Sequence, residues 1–131
     1  MTPSSRNDIL IGVVGPCAAG KSTLVEYLTA QGYQARHIAQ EHSFVQEMWQ
    51  KITNPDVLIF LQVSYSVSMQ RRKMDWSKAD YEEQQRRLRH AREHADFYLE
   101  TDALTIEEVR ESVQRFLDSL LKTQTHFERA D

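Results

Sequence analysis

Ile9-Leu10-Ile11-Gly12-Val13-Val14-Gly15-Pro16-Cys17-Ala18-Ala19-Gly20-Lys21-Ser22 is the stretch on which the reading of this chain turns. Its first six residues form a short apolar run ending at a glycine, the pattern of a buried strand. Gly15 to Ser22 then follows the spacing G-x-x-x-x-G-K-[ST] at every fixed position. Ser22–Gln31 reads as a helix with Leu24 and Leu28 on one face and Gly32 as its stop. A strand entering a glycine loop and a helix leaving it give that spacing a physical meaning. Backbone N–H groups from about Ala18 to Ser22 can wrap a phosphate, and the helix N-terminus adds a favourable dipole. Gly15 and Gly20 permit backbone angles and close approaches that a side chain would block. Lys21 offers a point charge to β- and γ-phosphates, and Ser22 offers a hydroxyl ligand to Mg²⁺. Cys17 reads as a small residue tolerated in the loop rather than as a catalytic thiol.

Working outward, Tyr33–Ala39 reads as a weaker second strand. Phe44, Val45, Met48, Trp49 and Ile52 recur at helical spacing until Asn54-Pro55 breaks the pattern, and Phe44, Met48 and Trp49 are expected to pack as core. Val57–Leu61 is the clearest buried strand. Ser64 can cap a helix running through Val67 to about Lys73, and Asp75-Trp76-Ser77 interrupts it. Ser77 with Asp80 resembles a capping pair that opens a mostly polar helix from Ala79 to about His94. Phe97-Tyr98-Leu99 is a last short strand. Thr105 and Glu108 make a capping box, with Leu104 and Val109 placed as a hydrophobic staple. The final helix is amphipathic through Ile106, Val109, Val113, Phe116, Leu117, Leu120 and Leu121. The alternation predicts an α/β fold in three α/β/α layers, with a short, mainly parallel sheet of about four strands. Ligands in such sheets sit beyond the carboxyl ends of the strands, here after Val14, Ala39, Leu61 and Leu99.

A length of 131 residues fits one domain, expected over residues 1–122, with a lid near residues 73–94 and 123–131 as a disordered tail. The net charge of −3 argues against general attraction to nucleic acid or anionic membrane. One cysteine excludes an intrachain disulfide framework and a zinc site built from cysteines. Met1–Asp8 carries Arg6 and Asp8 and has no net positive charge, and the apolar run behind it is shorter than the ~7–15 residues of a secretory core. No stretch approaches the ~20 apolar residues of a spanning helix. The expectation is a cytoplasmic protein without a membrane or nucleic-acid partner.

Three segments together resemble the P-loop NTPases, and among them the nucleoside, nucleotide and small-molecule kinases. They are Gly15–Thr23, Asn54–Val63 with Ser66–Arg72, and Ala95–Thr105. The resemblance implies a P-loop fold that takes ATP with Mg²⁺ and moves the γ-phosphoryl group to an unidentified small-molecule acceptor. It implies that Gly15, Ala18, Ala19, Gly20, Lys21, Ser22 and Thr23 hold the phosphates, Thr23 on the α side. It implies that Arg71 or Arg72 reaches phosphate from the base of a lid, and that Asp102, Ala103 and Leu104 line the base pocket, largely through backbone. Kinases of this group usually end a hydrophobic strand in Asp or Glu, whereas Val57–Leu61 ends in Gln62. Glu41, after Tyr33–Ala39, is the best available carboxylate and joins Ser22 as a candidate for the metal. It has three plausible fates: orienting the magnesium waters, acting as base toward an acceptor hydroxyl, or capping the following helix. The short span Gln40–Asn54 leaves little room for a separate acceptor subdomain. That brevity keeps a nucleotide-dependent regulatory ATPase or switch as the alternative.

Eight of the 16 Lys+Arg residues fall between Arg71 and Arg92. They read either as a mobile cover over the transferring group or as a solvated helix with Glu82→Arg86 and Glu83→Arg87 pairs at i,i+4. Trp76 and Tyr81 could stack on bases in a nucleic-acid adaptor. His42 is a surface histidine or an acceptor-orienting one. His90 and His94 have a metal-binding spacing with no third ligand in view.

Overall fold

The computed structural model describes residues 8–72 and 76–129, with side chains described except at Arg72 and at 122–129. Arg6, Lys73 and Asp75, named above, therefore lie outside the described residues, as does the side chain of Arg72. Four strands, β1 (Leu10–Val14), β2 (Gln34–His37), β3 (Val57–Gln62) and β4 (Phe97–Glu100), form one sheet in the order β2-β1-β3-β4. All three pairings are parallel. Among the described residues, five α-helices cross between and after the strands: α1 (Lys21–Ala30), α2 (Tyr65–Arg72), α3 (Lys78–Arg87), α4 (Arg89–His94) and α5 (Ile106–Arg129). The expected α/β class, with a parallel sheet of four strands, is present.

Pleating divides the core in two. Ile11 and Val13 of β1, with Val57, Ile59 and Leu61 of β3, pack on Leu24 and Leu28 of α1 and on Val113 and Leu117 of α5. Val14, Leu58 and Phe60 face the other way, onto Trp49, Leu88 and Ala91. Helical elements thus cover both faces of the sheet. Burial on both sides is why β3 reads as an unbroken apolar run rather than an alternating one.

Local signals survive in detail. Ser64 Oγ accepts from Val67 N at 3.3 Å at the head of α2. Ser77 and Asp80 exchange bonds across the first turn of α3, and Thr105 and Glu108 do the same at α5. Three expectations fail. The stretch from Phe44 to Ile52 is not a continuous α-helix: a π-helical turn covers only Trp49–Thr53, and Asn54 closes it in the left-handed region at φ 45. Nor is this stretch uniformly core, since Trp49 is buried but Phe44 and Ile52 are 83% and 75% exposed. The polar helix expected from Ala79 to His94 is interrupted at Leu88 between α3 and α4, and Leu88 and Ala91 are buried against the sheet. The backbone of α5 stays helical to Arg129, into the stretch expected as a tail. No Gly or Pro interrupts it there.

Candidate functional site

β1 delivers the chain to Gly15 at the carboxyl edge of the sheet, beside the end of β3. Gly15 has φ 154, and a Cβ there would collide with the Leu61 carbonyl, so the loop is set directly against β3. Ala18 at φ 70 and Gly20 at φ 95 bend the chain into α1. The N-cap residue of α1 is Gly20, which makes no side-chain cap bond to the first turn.

Lys21 lies beneath this loop, only 6% exposed. Its ammonium donates to Gly15 O at 2.6 Å and Pro16 O at 2.9 Å and pairs with Glu41 Oε2 at 3.0 Å. An ammonium has three hydrogens, and here each has an acceptor. Glu41 stands on a 3₁₀ turn, Gln40–His42, just beyond β2. That turn is anchored by Gln40, whose side chain donates to Val45 O and Arg87 O and accepts from Trp49 N at 2.8 Å. The Glu41 side chain is 3% exposed, and its second oxygen, Oε1, is buried with no hydrogen-bond partner. The cap role expected as one option for Glu41 is not what its carboxylate does; it holds Lys21.

Two hollows meet over the loop. One, of about 280 Å³, is lined by Cys17, Lys21, Ser22, His37, Glu41 and His42 with Ala18, Gly20 and Thr23. The other, of about 430 Å³, shares Ala18, Gly20 and Thr23 and continues along Leu24, Arg71, Thr101, Leu104, Ile106, Val109 and Arg110. The first is polar and carries the only carboxylate lining either hollow among the described residues. The second is largely apolar with two guanidinium groups. His37, beside the first, has its pKa lowered: desolvation comes first, the Lys21 charge next, and Glu41 opposes both.

The expected site residues divide accordingly. Ala18, Gly20, Lys21, Ser22 and Thr23 line the hollows, with Ser22 exposed, and Glu41 joins them. Ala19 lines the apolar hollow, and its N–H closes a turn onto Pro16 O. Arg71 reaches the site as a clamp: it donates to Ala18 O at 3.1 Å and to Thr101 Oγ1 and O at 2.9 and 2.5 Å. Leu104 lines the apolar hollow, but Asp102 and Ala103 do not. The Asp102 carboxylate accepts from Ser64 N at 2.8 Å at the start of α2 instead. Gln62, at the end of β3, is tied to Gln85.

Two arginines of the basic run are paired on their own helix. Arg86 and Arg87 pair with Glu83, so the Glu83→Arg87 pair holds while Arg86 prefers the i,i+3 partner to Glu82. The Arg87 guanidinium also lies over the Phe44 ring, and that of Arg92 over Tyr98. The element of α3 that touches the loop is Gln84, which accepts from Cys17 N at 3.0 Å and donates to Cys17 Sγ at 3.2 Å. Sequence reasoning missed it, although Tyr81, Gln84, Leu88 and Ala91 fall on one helical stripe and a polar residue on such a stripe is a signal. Trp76 and Tyr81, candidates for base stacking, pack against each other and Tyr65. His90 and His94 stack at 4.2 Å, with His90 accepting from Trp49 Nε1. No helix among the described residues is long and apolar enough to cross a membrane. Compared with known proteins, the chain matches no protein-family model and no curated protein.

Proposed function

We propose that this chain is a P-loop, kinase-like protein that binds ATP with Mg²⁺ and transfers the γ-phosphoryl group to a small-molecule acceptor. The observation that carries the reading is the buried Lys21–Glu41 pair, 3.0 Å apart, set between a glycine loop and the first helix of a parallel sheet. In this reading the loop amides take the phosphates, Lys21 exchanges its Glu41 contact for them, and the apolar hollow along Leu24, Leu104 and Val109 receives the nucleoside. The Ser22 hydroxyl and the Glu41 carboxylate are oxygen donors of the kind a hard cation takes. Bound there, Mg²⁺ would neutralise charge on the β- and γ-phosphates. The acceptor oxygen attacks the γ-phosphorus in line as the bond to the bridging oxygen of ADP breaks. The acceptor proton passes to Glu41 or to solvent. Lys21, held by Gly15 and Pro16, remains in place to spread its charge onto the transferring group.

The alternative is a nucleotide-dependent switch or regulatory ATPase without a phosphorylated product. It is favoured by the absence of a carboxylate at the end of β3, where Gln62 is engaged with Gln85. γ-Labelled ATP with a pool of small metabolites separates the two. Label appearing in an acceptor supports the kinase, whereas slow release of free phosphate alone supports the switch. Calorimetry tests the shared premise: Lys21→Met/Glu41→Gln, which removes both buried charges together, is expected to fold and to lose most ATP affinity. Unchanged affinity in that variant overturns the loop assignment.

A further inference from the structure

The polar hollow contains a sulfur and a ring nitrogen, donors that a hard cation such as magnesium does not favour. Cys17 Sγ, a carboxylate oxygen of Glu41 and a ring nitrogen of His42 lie within 4.8 Å of one another. Independently, Glu41 Oε1 is buried without a partner, on a side chain 3% exposed. A buried carboxylate oxygen left unpaired is costly, so it marks a place where a positive partner is wanted. Its sister atom Oε2 is already shared between Lys21 at 3.0 Å and His42 Nε2 at 3.7 Å.

We propose that Cys17, Glu41 and His42 bind a borderline-soft divalent cation, Zn²⁺, with a fourth position left open to water. Hard cations such as Mg²⁺ and Ca²⁺ take oxygen, while a mixed sulfur, nitrogen and oxygen set suits zinc. Three protein ligands and an open position form a different class of site from the closed, multi-cysteine frameworks that a single cysteine rules out. Zinc bonds of ~2.0–2.3 Å place tetrahedral ligand atoms ~3.3–3.8 Å apart, so the trio must close by about 1 Å. The His42 side chain is 61% exposed and can make that adjustment from the solvent side. On binding, the Cys17 thiol releases its proton to solvent. Gln84 Nε2, donating to Sγ at 3.2 Å, orients the sulfur. Zinc with one thiolate and one carboxylate is neutral, and Lys21 keeps the Gly15 and Pro16 carbonyls. The proposal goes beyond the nucleotide reading and stands without it.

The test is titration of the full chain with Co²⁺ and Zn²⁺. One equivalent of Co²⁺ is expected to raise a thiolate-to-metal charge-transfer band in the near ultraviolet, and Zn²⁺ to displace it. Cys17→Ser is expected to abolish the band. Cys17→Ser and His42→Ala are each expected to weaken Zn²⁺, measured by chelator competition, by about tenfold or more. His90→Ala/His94→Ala is expected to leave it unchanged. Circular dichroism checks that each variant is folded. A wild-type protein with no band and no zinc affinity overturns the proposal, and so does zinc binding that survives in Cys17→Ser and His42→Ala. ATP binding is measured separately by calorimetry in metal-free buffer, so failure of one reading is distinguishable from failure of the other.

Discussion

Lys21→Met deletes a buried ammonium and strands its partner. Glu41 is left with a nearly inaccessible carboxylate whose nearest remaining cationic candidate is His42 Nε2 at 3.7 Å. Removing one member of a buried pair costs ~3–5 kcal/mol, because the other charge stays buried without compensation. Glu41→Gln is milder. Lys21 keeps two carbonyl acceptors at 2.6 and 2.9 Å, and the amide oxygen still accepts, so the loss is ~1–2 kcal/mol. In the double variant neither charge is stranded, and the expected loss is only ~1–3 kcal/mol. The singles would sum to ~4–7 kcal/mol, so the cycle should show a coupling of ~1–6 kcal/mol. Urea unfolding reads this directly: with a slope of ~2 kcal/mol/M, Lys21→Met should lower the midpoint by roughly 1.5–2.5 M. Additive losses, or equal small losses in both singles, would refute the view that this pair is desolvated and mutually dependent.

Gly15→Ala is expected to cost about 3 kcal/mol or more, since strain at its positive φ adds to a collision with the Leu61 carbonyl. Gly20→Ala, at φ 95 but in open space, should cost only ~1–2 kcal/mol, so urea midpoints should rank the two clearly. Gln40→Ala should cost about 2–4 kcal/mol and perturb Trp49 fluorescence, because the Trp49 amide and two carbonyls lose their partner. His37 has a folded pKa below its ordinary 6.5, so the unfolded chain binds the proton more readily. Its contribution to stability is therefore complete above the unfolded value and declines as pH falls from there toward the lowered one. His37→Gln should flatten that slope in pH-dependent melts.

Legibility in the sequence followed the range of the interactions involved. β1, the glycine loop, α1 and β3 were readable because burial on both sheet faces writes continuous apolar runs, and because Ser64, Ser77 and Thr105 announce their helices within three residues. Glu41 was readable as a candidate carboxylate, but its service to Lys21 was not, since the two are twenty positions apart with a strand between them. The Phe44–Ile52 periodicity misled because one inward anchor, Trp49, with the Gln40 network suffices to hold that segment. Arg71 and Asp102 carried the expected charges to other partners, a backbone carbonyl of the loop and the amide heading α2, and only tertiary proximity selects those. Gln84 hid among neighbouring glutamines whose environments differ although their letters do not.

The link between Gln84 and Cys17 gives the second layer of helices a stake in what the loop holds. A main-chain amide serves one strong acceptor at a time, and that of Cys17 is committed to a side chain 67 positions away. Any anion drawn to this amide must first evict the glutamine, whose other contact is the neighbouring sulfur. Occupancy of this one amide and the hold of Gln84 on the loop are therefore a single competition, and tightening either one loosens the other.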